Sequence, residues 1–161
     1  MRDLEKRRYG LHLGALAAFV VGALVVGAVG NFLGGKATFD GLQTPPLTPP
    51  EWVFPVVWTV LYILMGIAAY LVWNTKDVDR TALLRPYFAQ LAVNMLWSLF
   101  FFRLEWRLFA FFWLLLLAAL VSLTMCRFRT ASRTAYWLLL PYLLWVLFAG
   151  YLNLGFALLN M

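Results

Sequence analysis

Amide and aromatic side chains share one face of the apolar segment between Arg85 and Arg103. In chain order, and spaced three or four residues apart, they are Tyr87, Gln90, Asn94, Trp97 and Phe101. That spacing places them on one side of a helix. An amide facing lipid would be costly, so this face is predicted to point into the protein. Carboxamides beside broad rings suit a flat, mostly apolar ligand that accepts a few hydrogen bonds.

Two further apolar segments carry similar stripes. After Glu51 they are Phe54, Trp58 and Tyr62, and in the last apolar segment they are Tyr142, Trp145, Ala149 and Asn153. Two interpretations stay open, because such rings can line a ligand pocket or can pack helices together and form an interfacial belt. Trp58, Trp97 and Trp145 lie about two turns or more inside their segments, where a belt explains them poorly.

Other kinds of chemistry lack the residues they need. His12 is the only histidine and Cys126 the only cysteine, so neither a metal cluster nor an intramolecular disulfide is expected. The apolar segments hold no charged residue that could relay protons or ions. We therefore expect no metal, no required cofactor and no firm catalytic residue.

The composition predicts a single all-α membrane domain over residues 1–161. The chain is 64% hydrophobic and 12% charged, with a mean hydropathy of +0.81, whereas a soluble domain carries roughly 25% charged residues. Five charge-free runs approach or exceed the ~20 residues that a helix needs to cross a bilayer. The predicted bundle of five transmembrane helices covers roughly residues 11–33, 52–73, 85–102, 107–126 and 135–158.

The basic residues are distributed unevenly around these helices. Ten of the thirteen precede helix 1 or lie in the loops after helices 2 and 4, and three lie on the other side. The positive-inside rule then predicts a multi-pass protein with a cytoplasmic N-terminus and an extracytoplasmic C-terminus, consistent with a bacterial inner membrane. Topology explains the net charge of +6, so no nucleic-acid partner is expected.

Prolines and small residues give further expectations. The prolines of the first loop, residues 34–51, pre-order the loop, which then loses little entropy on covering something. Pro55 and Pro86 are expected to begin helices 2 and 3, and Pro141 to lie inside helix 5. Small residues on helix 1 (Gly10, Gly14, Ala18 and Gly22) and on helix 3 (Ala89 and Ala92) are candidates for close helix contact, within or between subunits.

Three stretches, in order, resemble the tryptophan-rich sensory protein/translocator protein family (TspO/MBR). They are FDGLQTPPLTPPEWVFPVVWTVLY, AQLAVNMLWSLFFF and LPYLLWVLFAGYLN. The resemblance implies a five-helix bundle, usually a homodimer, with its proline-rich first loop closing a pocket. It also implies a membrane-lipid environment and porphyrin-type or sterol-like partners, with porphyrin or haem as a possible ligand.

Stripes and resemblance together give the expected site residues. The ligand-binding set is Leu42, Trp52, Trp58, Tyr62, Asn94, Trp97, Tyr142, Trp145 and Asn153. The lid set is Asp40, Pro45, Pro46, Pro49 and Pro50, in which Asp40 would anchor the loop by capping or pairing. The implied function is a membrane receptor or transporter-like protein in tetrapyrrole or stress regulation. The alternatives are a light-dependent porphyrin-degrading enzyme that uses Trp58 and Trp145, and a membrane scaffold without a small ligand.

Overall fold

The computed structural model describes residues 10–35 and 39–160. Five α-helices account for most of them: α1 (Leu13–Gly34), α2 (Val53–Trp73), α3 (Arg80–Ser98), α4 (Arg107–Ala131) and α5 (Arg133–Leu159). No strand occurs in these two ranges, and the prediction of an all-α chain with five helices is confirmed. The basic N-terminal residues and Lys36, which enter the charge argument, lie outside the described residues.

Capping residues set the boundaries that the sequence prediction placed differently. α3 begins at Arg80, well before residue 85, because the Asp79 carboxylate accepts a hydrogen bond from the Ala82 N–H at 3.0 Å. Pro86 consequently lies inside α3, and the prediction that it begins this helix was wrong. α4 likewise continues past residue 126, and Ser132 then caps α5 by accepting from the Ala135 N–H at 3.2 Å.

The other two prolines lie where the sequence placed them. Pro55 is in the first turn of α2, where its missing N–H is harmless, and Pro141 lies inside α5. Beyond α3 the chain continues as a five-residue π-helical segment, Leu99–Arg103. This π segment widens the last turn and carries three consecutive phenylalanines, two of which (Phe101 and Phe102) pack against the loop and α5.

The helices are arranged as a closed ring. Taking neighbours in order around it, α1 packs on α2, α2 on α5, α5 on α4, α4 on α3, and α3 returns to α1. The largest buried side chains lie inside this ring, on α2, α3, α4 and α5. α1 is the least buried helix, since only Ala23, Gly30 and Gly34 are fully covered.

Glycines allow α1 to approach its neighbours closely. A Cβ at Gly66 of α2 would lie 2.5 Å from the Val20 Cα, and one at Gly30 would lie 3.1 Å from the Met95 carbonyl oxygen. By contrast, Gly10, Gly14 and Gly22 have nothing within 4 Å of a Cβ. The glycine stripe predicted for helix contact is therefore open in the subunit, and glycines further along α1 make the contacts instead.

Four of the five helices are long and apolar enough to cross a membrane. They are α1, α2, α4 and α5. α3 is not among them, because it begins with Arg80, also contains Arg85, and carries Gln90 and Asn94 among its buried residues. Composition thus supports four spans directly, and the fifth predicted span depends on how α3 is packed.

Candidate ligand cavity

A cavity of about 500 Å³ lies between α1, α2, α3 and the first loop. Its volume is within the range of small-molecule sites. α1 contributes Leu24, Gly27, Ala28 and Asn31. α2 contributes Phe54, Pro55, Trp58, Thr59 and Tyr62. α3 and the π segment contribute Asn94, Trp97, Ser98 and Phe102, and the loop contributes Phe39 and Glu51.

One contact between α1 and α2 determines the shape of the inner cavity wall. The ring of Tyr62 occupies the space that a Cβ at Gly27 would need. Glycine at this position therefore lets the ring lie flat along α1. The ring of Trp58 follows on the same face of α2, with its centroid 5.8 Å from that of Tyr62 and 6.4 Å from that of Trp97.

A buried hydrogen-bond chain runs behind the cavity. The Tyr62 hydroxyl donates to Asn94 Oδ1 at 2.7 Å, and Asn94 Nδ2 donates to the Tyr142 hydroxyl at 2.7 Å. Tyr142 in turn donates to Gln90 Oε1 at 2.7 Å. Both ends of the Asn94 amide are therefore used within the protein, and this chain joins α2, α3 and α5.

A second buried amide orients Trp97. Trp97 Nε1 donates to Asn153 Oδ1 at 3.1 Å, and Asn153 Nδ2 donates to the Arg107 carbonyl at 2.6 Å. Asn153 is only 1% exposed. These two bonds tie α5 to α3 and to the start of α4, so the indole presents its ring, rather than its N–H, to the cavity.

Phe39 and Glu51 form the mouth of the cavity. The Phe39 N–H donates to Glu51 Oε1 at 3.0 Å. The Phe39 ring stacks on Phe156, with centroids 4.7 Å apart and planes 21° apart, and also contacts Phe54 and Phe102. The residue of the first loop that reaches into the hollow is thus an aromatic one held by a neighbouring carboxylate.

Pro45 and Pro46 of the first loop contact the end of α5, and none of the four loop prolines lines the cavity. Pro45 is buried against Gly155, where an added Cβ would lie 2.5 Å from the Pro45 Cβ. The Tyr151 hydroxyl donates to the Pro46 carbonyl at 2.9 Å. Asn160 accepts from the Gln43 N–H at 2.8 Å and donates to its carbonyl at 2.9 Å. These contacts fix the loop to α5.

The structure brings together part of the predicted site. Trp58, Tyr62, Asn94 and Trp97 line the cavity. Tyr142 and Asn153 lie behind it and hold the lining residues in place through the bonds described above. The remaining predicted residues (Leu42, Trp52, Trp145, Asp40, Pro49 and Pro50) lie outside the lining.

Trp145, Trp52 and Asp40 are three of the predicted site residues that lie outside the lining. The Trp145 ring packs on Phe54, with centroids 5.9 Å apart, and its indole N–H is buried without a hydrogen-bond partner in the described part of the chain. Trp52 is 69% exposed. Asp40 is exposed, and its carboxylate makes no hydrogen bond or ion pair with any described residue.

Sequence reasoning missed the contribution of α1. Gly27, Ala28 and Asn31 line the cavity, but α1 has no aromatic stripe that would have pointed to them. The one available signal was Asn31, the only amide in an otherwise apolar helix. Exposed lining residues on α1 (Ala28 and Asn31) and on α2 (Pro55 and Thr59) show that the cavity also opens sideways between these helices.

The cavity is nearly uncharged. Glu51 is the one charged side chain among the described lining residues, and the rest are apolar, aromatic or neutral polar groups. No cluster of three or more histidine, cysteine or carboxylate side chains that could hold a metal occurs in residues 10–35 and 39–160. The lining can therefore stack on a flat molecule and offer it a few hydrogen bonds near the mouth.

Fold and cavity together define a helical membrane protein with a ligand-sized hollow among three of its helices. Residues 16–159 match the TspO/MBR family. The chain belongs to this family, as the resemblance of its three aromatic stretches predicted.

Curated relatives from three domains of life agree with this membership. The chain is 36% identical over 148 residues to the tryptophan-rich protein TspO of Archaeoglobus fulgidus, covering 90% of this chain and 96% of the relative. It is 38% identical over 144 residues to the TspO of Chlorobaculum tepidum, covering 85% and 90%. It is 36% identical over 143 residues to the translocator protein of Ovis aries, covering 83% and 85%.

Proposed function

We propose that this protein is a receptor or transporter-like membrane protein that binds flat hydrophobic molecules, porphyrins among them, in the cavity between α1, α2 and α3. The observation that carries the proposal is the convergence of Trp58, Tyr62 and Trp97 on a hollow of about 500 Å³. A membrane scaffold would need helix packing but no such hollow. Names such as translocator protein and tryptophan-rich sensory protein among the relatives support the receptor or transporter-like part of the proposal.

The proposal includes a fifth transmembrane span formed by α3. Nineteen helical residues cover about 28 Å at 1.5 Å each, which approaches the thickness of the hydrocarbon core. α3 packs between α1 and α4, and its buried Gln90 and Asn94 are turned into the ring of helices. Gln90 and Asn94 therefore do not face lipid, and the exposed Arg85 lies near the basic end of the helix.

The basic residues support one orientation of this bundle. Lys76, Arg85, Arg127, Arg129 and Arg133 are exposed at the end opposite the first loop. The positive-inside rule places that end in the cytoplasm of a bacterial inner-membrane protein, with the first loop outside. A homodimer would use an exposed helix face, for which the stripe of Gly10, Gly14 and Gly22 and the Ala89 and Ala92 face are both open.

Ligand binding is tested with a substitution that fills the cavity with a larger side chain, compared with the same substitution outside the cavity. Purified protein in detergent is titrated with protoporphyrin IX while tryptophan fluorescence is recorded. Ala28→Phe, which places a ring inside the lining, should weaken binding by roughly tenfold, about 1.4 kcal/mol. Ala17→Phe adds the same ring to an exposed site of α1 outside the lining and should leave affinity unchanged. Equal affinities of the two variants would place binding elsewhere.

A light-dependent porphyrin-degrading enzyme is the second candidate, and the two lining indoles favour it. Trp58 and Trp97 lie side by side in the cavity and could donate electrons to an excited porphyrin, whereas Trp145 lies outside the lining. Illumination of the bound porphyrin while its Soret band is followed separates enzyme from receptor. Bleaching faster than that of porphyrin in empty detergent, and slowed in Trp58→Phe, supports catalysis. Bleaching at the detergent rate rejects it.

A further inference from the structure

Glu51 places a fixed negative charge at the mouth of the cavity. Glu51 belongs to the lining, and its Oε1 accepts the Phe39 N–H at 3.0 Å. Phe39 is itself held by its ring contacts with Phe54 and Phe156. The hydrogen bond therefore keeps the carboxylate at the rim of the hollow.

The buried residues Asn94 and Trp97 of the lining already use polar groups within the protein. Asn94 Oδ1 accepts from Tyr62 and its Nδ2 donates to Tyr142, while the Trp97 N–H is committed to Asn153. An anion placed there would lose its hydration without replacement, which is strongly unfavourable. An acidic ligand must consequently leave its carboxylate near the mouth.

Uncharged polar groups accompany Glu51 in the lining. The side chains of Asn31 and Ser98 belong to it, and neither has a hydrogen-bond partner among the described residues. An amide and a hydroxyl can each donate and accept, while a carboxylate can only accept. Asn31 and Ser98 can therefore serve either a donor or an acceptor on the ligand, and the Glu51 carboxylate is the group that favours a neutral or positively charged end that donates hydrogen bonds.

We propose that the cavity selects flat aromatic ligands whose polar end is uncharged or cationic, and that Glu51 is the residue that disfavours carboxylates. This inference rests on the proposed function and narrows its ligand class. Among porphyrins, it means that a neutral ester form binds better than the diacid from which it derives. The repulsion between the Glu51 carboxylate and a ligand carboxylate acts close to water, so its effect on affinity is modest and weakens with added salt.

The test compares acid and ester forms of one flat molecule. The probes are protoporphyrin IX with its dimethyl ester, and 1-pyrenebutyrate with its methyl ester, each titrated by quenching of tryptophan fluorescence. Glu51→Gln keeps an oxygen that can accept the Phe39 N–H and removes the charge. We expect the acid-to-ester affinity ratio to rise about two- to fivefold in this variant. Comparing ratios cancels differences in how the probes partition into detergent.

Asp40→Asn is the matched control. It removes the same charge from the same loop, at an exposed position outside the lining. The acid-to-ester ratio of this variant should equal that of the unmodified protein. An equal rise in both variants would show that only the net charge of the loop matters, and would overturn the proposal.

The remaining outcomes separate this inference from the proposed function. If probes bind but Glu51→Gln leaves the ratio unchanged, charge selection is wrong and the cavity assignment stands. If acid and ester affinities change equally, Glu51 acts only by holding Phe39, and charge selection is again wrong. If none of the four probes binds to any variant, the proposed function fails and this inference fails with it.

Discussion

Buried polar side chains couple the helices at the level of single residues. Tyr142 is fully buried, and its hydroxyl accepts from Asn94 and donates to Gln90. Asn153 likewise joins Trp97 to the Arg107 carbonyl. Because water cannot replace these partners, each group has a fixed orientation, and the lining rings take their positions from it.

Removing the Tyr142 hydroxyl should therefore destabilise the bundle. Tyr142→Phe leaves a donor on Asn94 and an acceptor on Gln90 unpaired, for an expected loss of about 1–2 kcal/mol. Unfolding by sodium dodecyl sulfate in mixed micelles measures it. Tyr136→Phe is the control, because the Tyr136 hydroxyl has no hydrogen bond to the described residues. An equal loss in both variants would contradict the role given to the chain.

Asn153 gives a second residue-scale prediction. Asn153→Leu removes the acceptor of the Trp97 indole and the donor to the Arg107 carbonyl, so we expect roughly 1–3 kcal/mol of lost stability. The emission maximum of tryptophan should also shift as Trp97 loses its orientation. Asn31→Leu makes the same substitution at an exposed amide without such bonds and should leave the unfolding midpoint in place. A stable Asn153→Leu protein with unchanged emission would refute this view.

At the scale of elements, the position of α1 against α2 and α3 depends on three of its glycines. The hydropathy pattern of the helix does not distinguish these glycines from the others. Gly27 admits the Tyr62 ring, and Gly30 and Gly34 lie against Met95 and Ser98 of α3. The predicted stripe on the first half of the same helix remains open. Small residues mark where close approach is allowed, and only the neighbouring side chains decide where it occurs.

Two glycines of α1 should consequently respond differently to the same substitution. Gly27→Ala puts a methyl group where the Tyr62 ring lies, and we expect a loss of about 1–3 kcal/mol together with weaker porphyrin quenching. Gly22→Ala meets nothing within 4 Å and improves helix propensity, so its midpoint should not fall. Thermal unfolding of both variants in one detergent is the measurement. If the thermal unfolding midpoint of Gly27→Ala equalled that of Gly22→Ala, the Tyr62 ring would be able to move aside without loss of stability, and the prediction would be wrong.

At the scale of the whole molecule, the distribution of charge predicts how the ring of helices is oriented. Five exposed basic residues (Lys76, Arg85, Arg127, Arg129 and Arg133) lie at one end, whereas the first loop with Glu51 and the exposed Arg103 lie at the other. Because moving these charges through hydrocarbon is costly, we expect one insertion of the bundle to be favoured. In the orientation proposed above, the cavity mouth is expected on the extracytoplasmic side.

The single cysteine gives a direct measurement of this orientation. Cys126 is exposed on α4, at the basic end. In spheroplasts a membrane-impermeant maleimide should label it only after the membrane is permeabilised. The double variant Cys126→Ser with Thr44→Cys moves the thiol to an exposed site in the first loop, and it should be labelled in intact spheroplasts. The reverse pattern would invert the orientation proposed here.

The sequence by itself determined the helices, the aromatic faces and the family. Charge-free runs fix where helices can cross lipid, and the spacing of three and four residues fixes which side chains share a face. That was sufficient to select Trp58, Tyr62, Asn94 and Trp97, which do line one cavity. Their role in binding stays a prediction.

Tertiary structure decided which neighbour each face meets. Trp145 shares a stripe as regular as that of Trp58, yet α5 turns it toward Phe54 and outside the lining. Asn31 and Glu51 enter the lining because α1 closes on α2 at Gly27 and because the loop is pinned to α5. Periodicity gives the direction of a side chain relative to its own helix. The rotation of one helix against another depends on contacts between residues far apart in sequence, which periodicity does not contain.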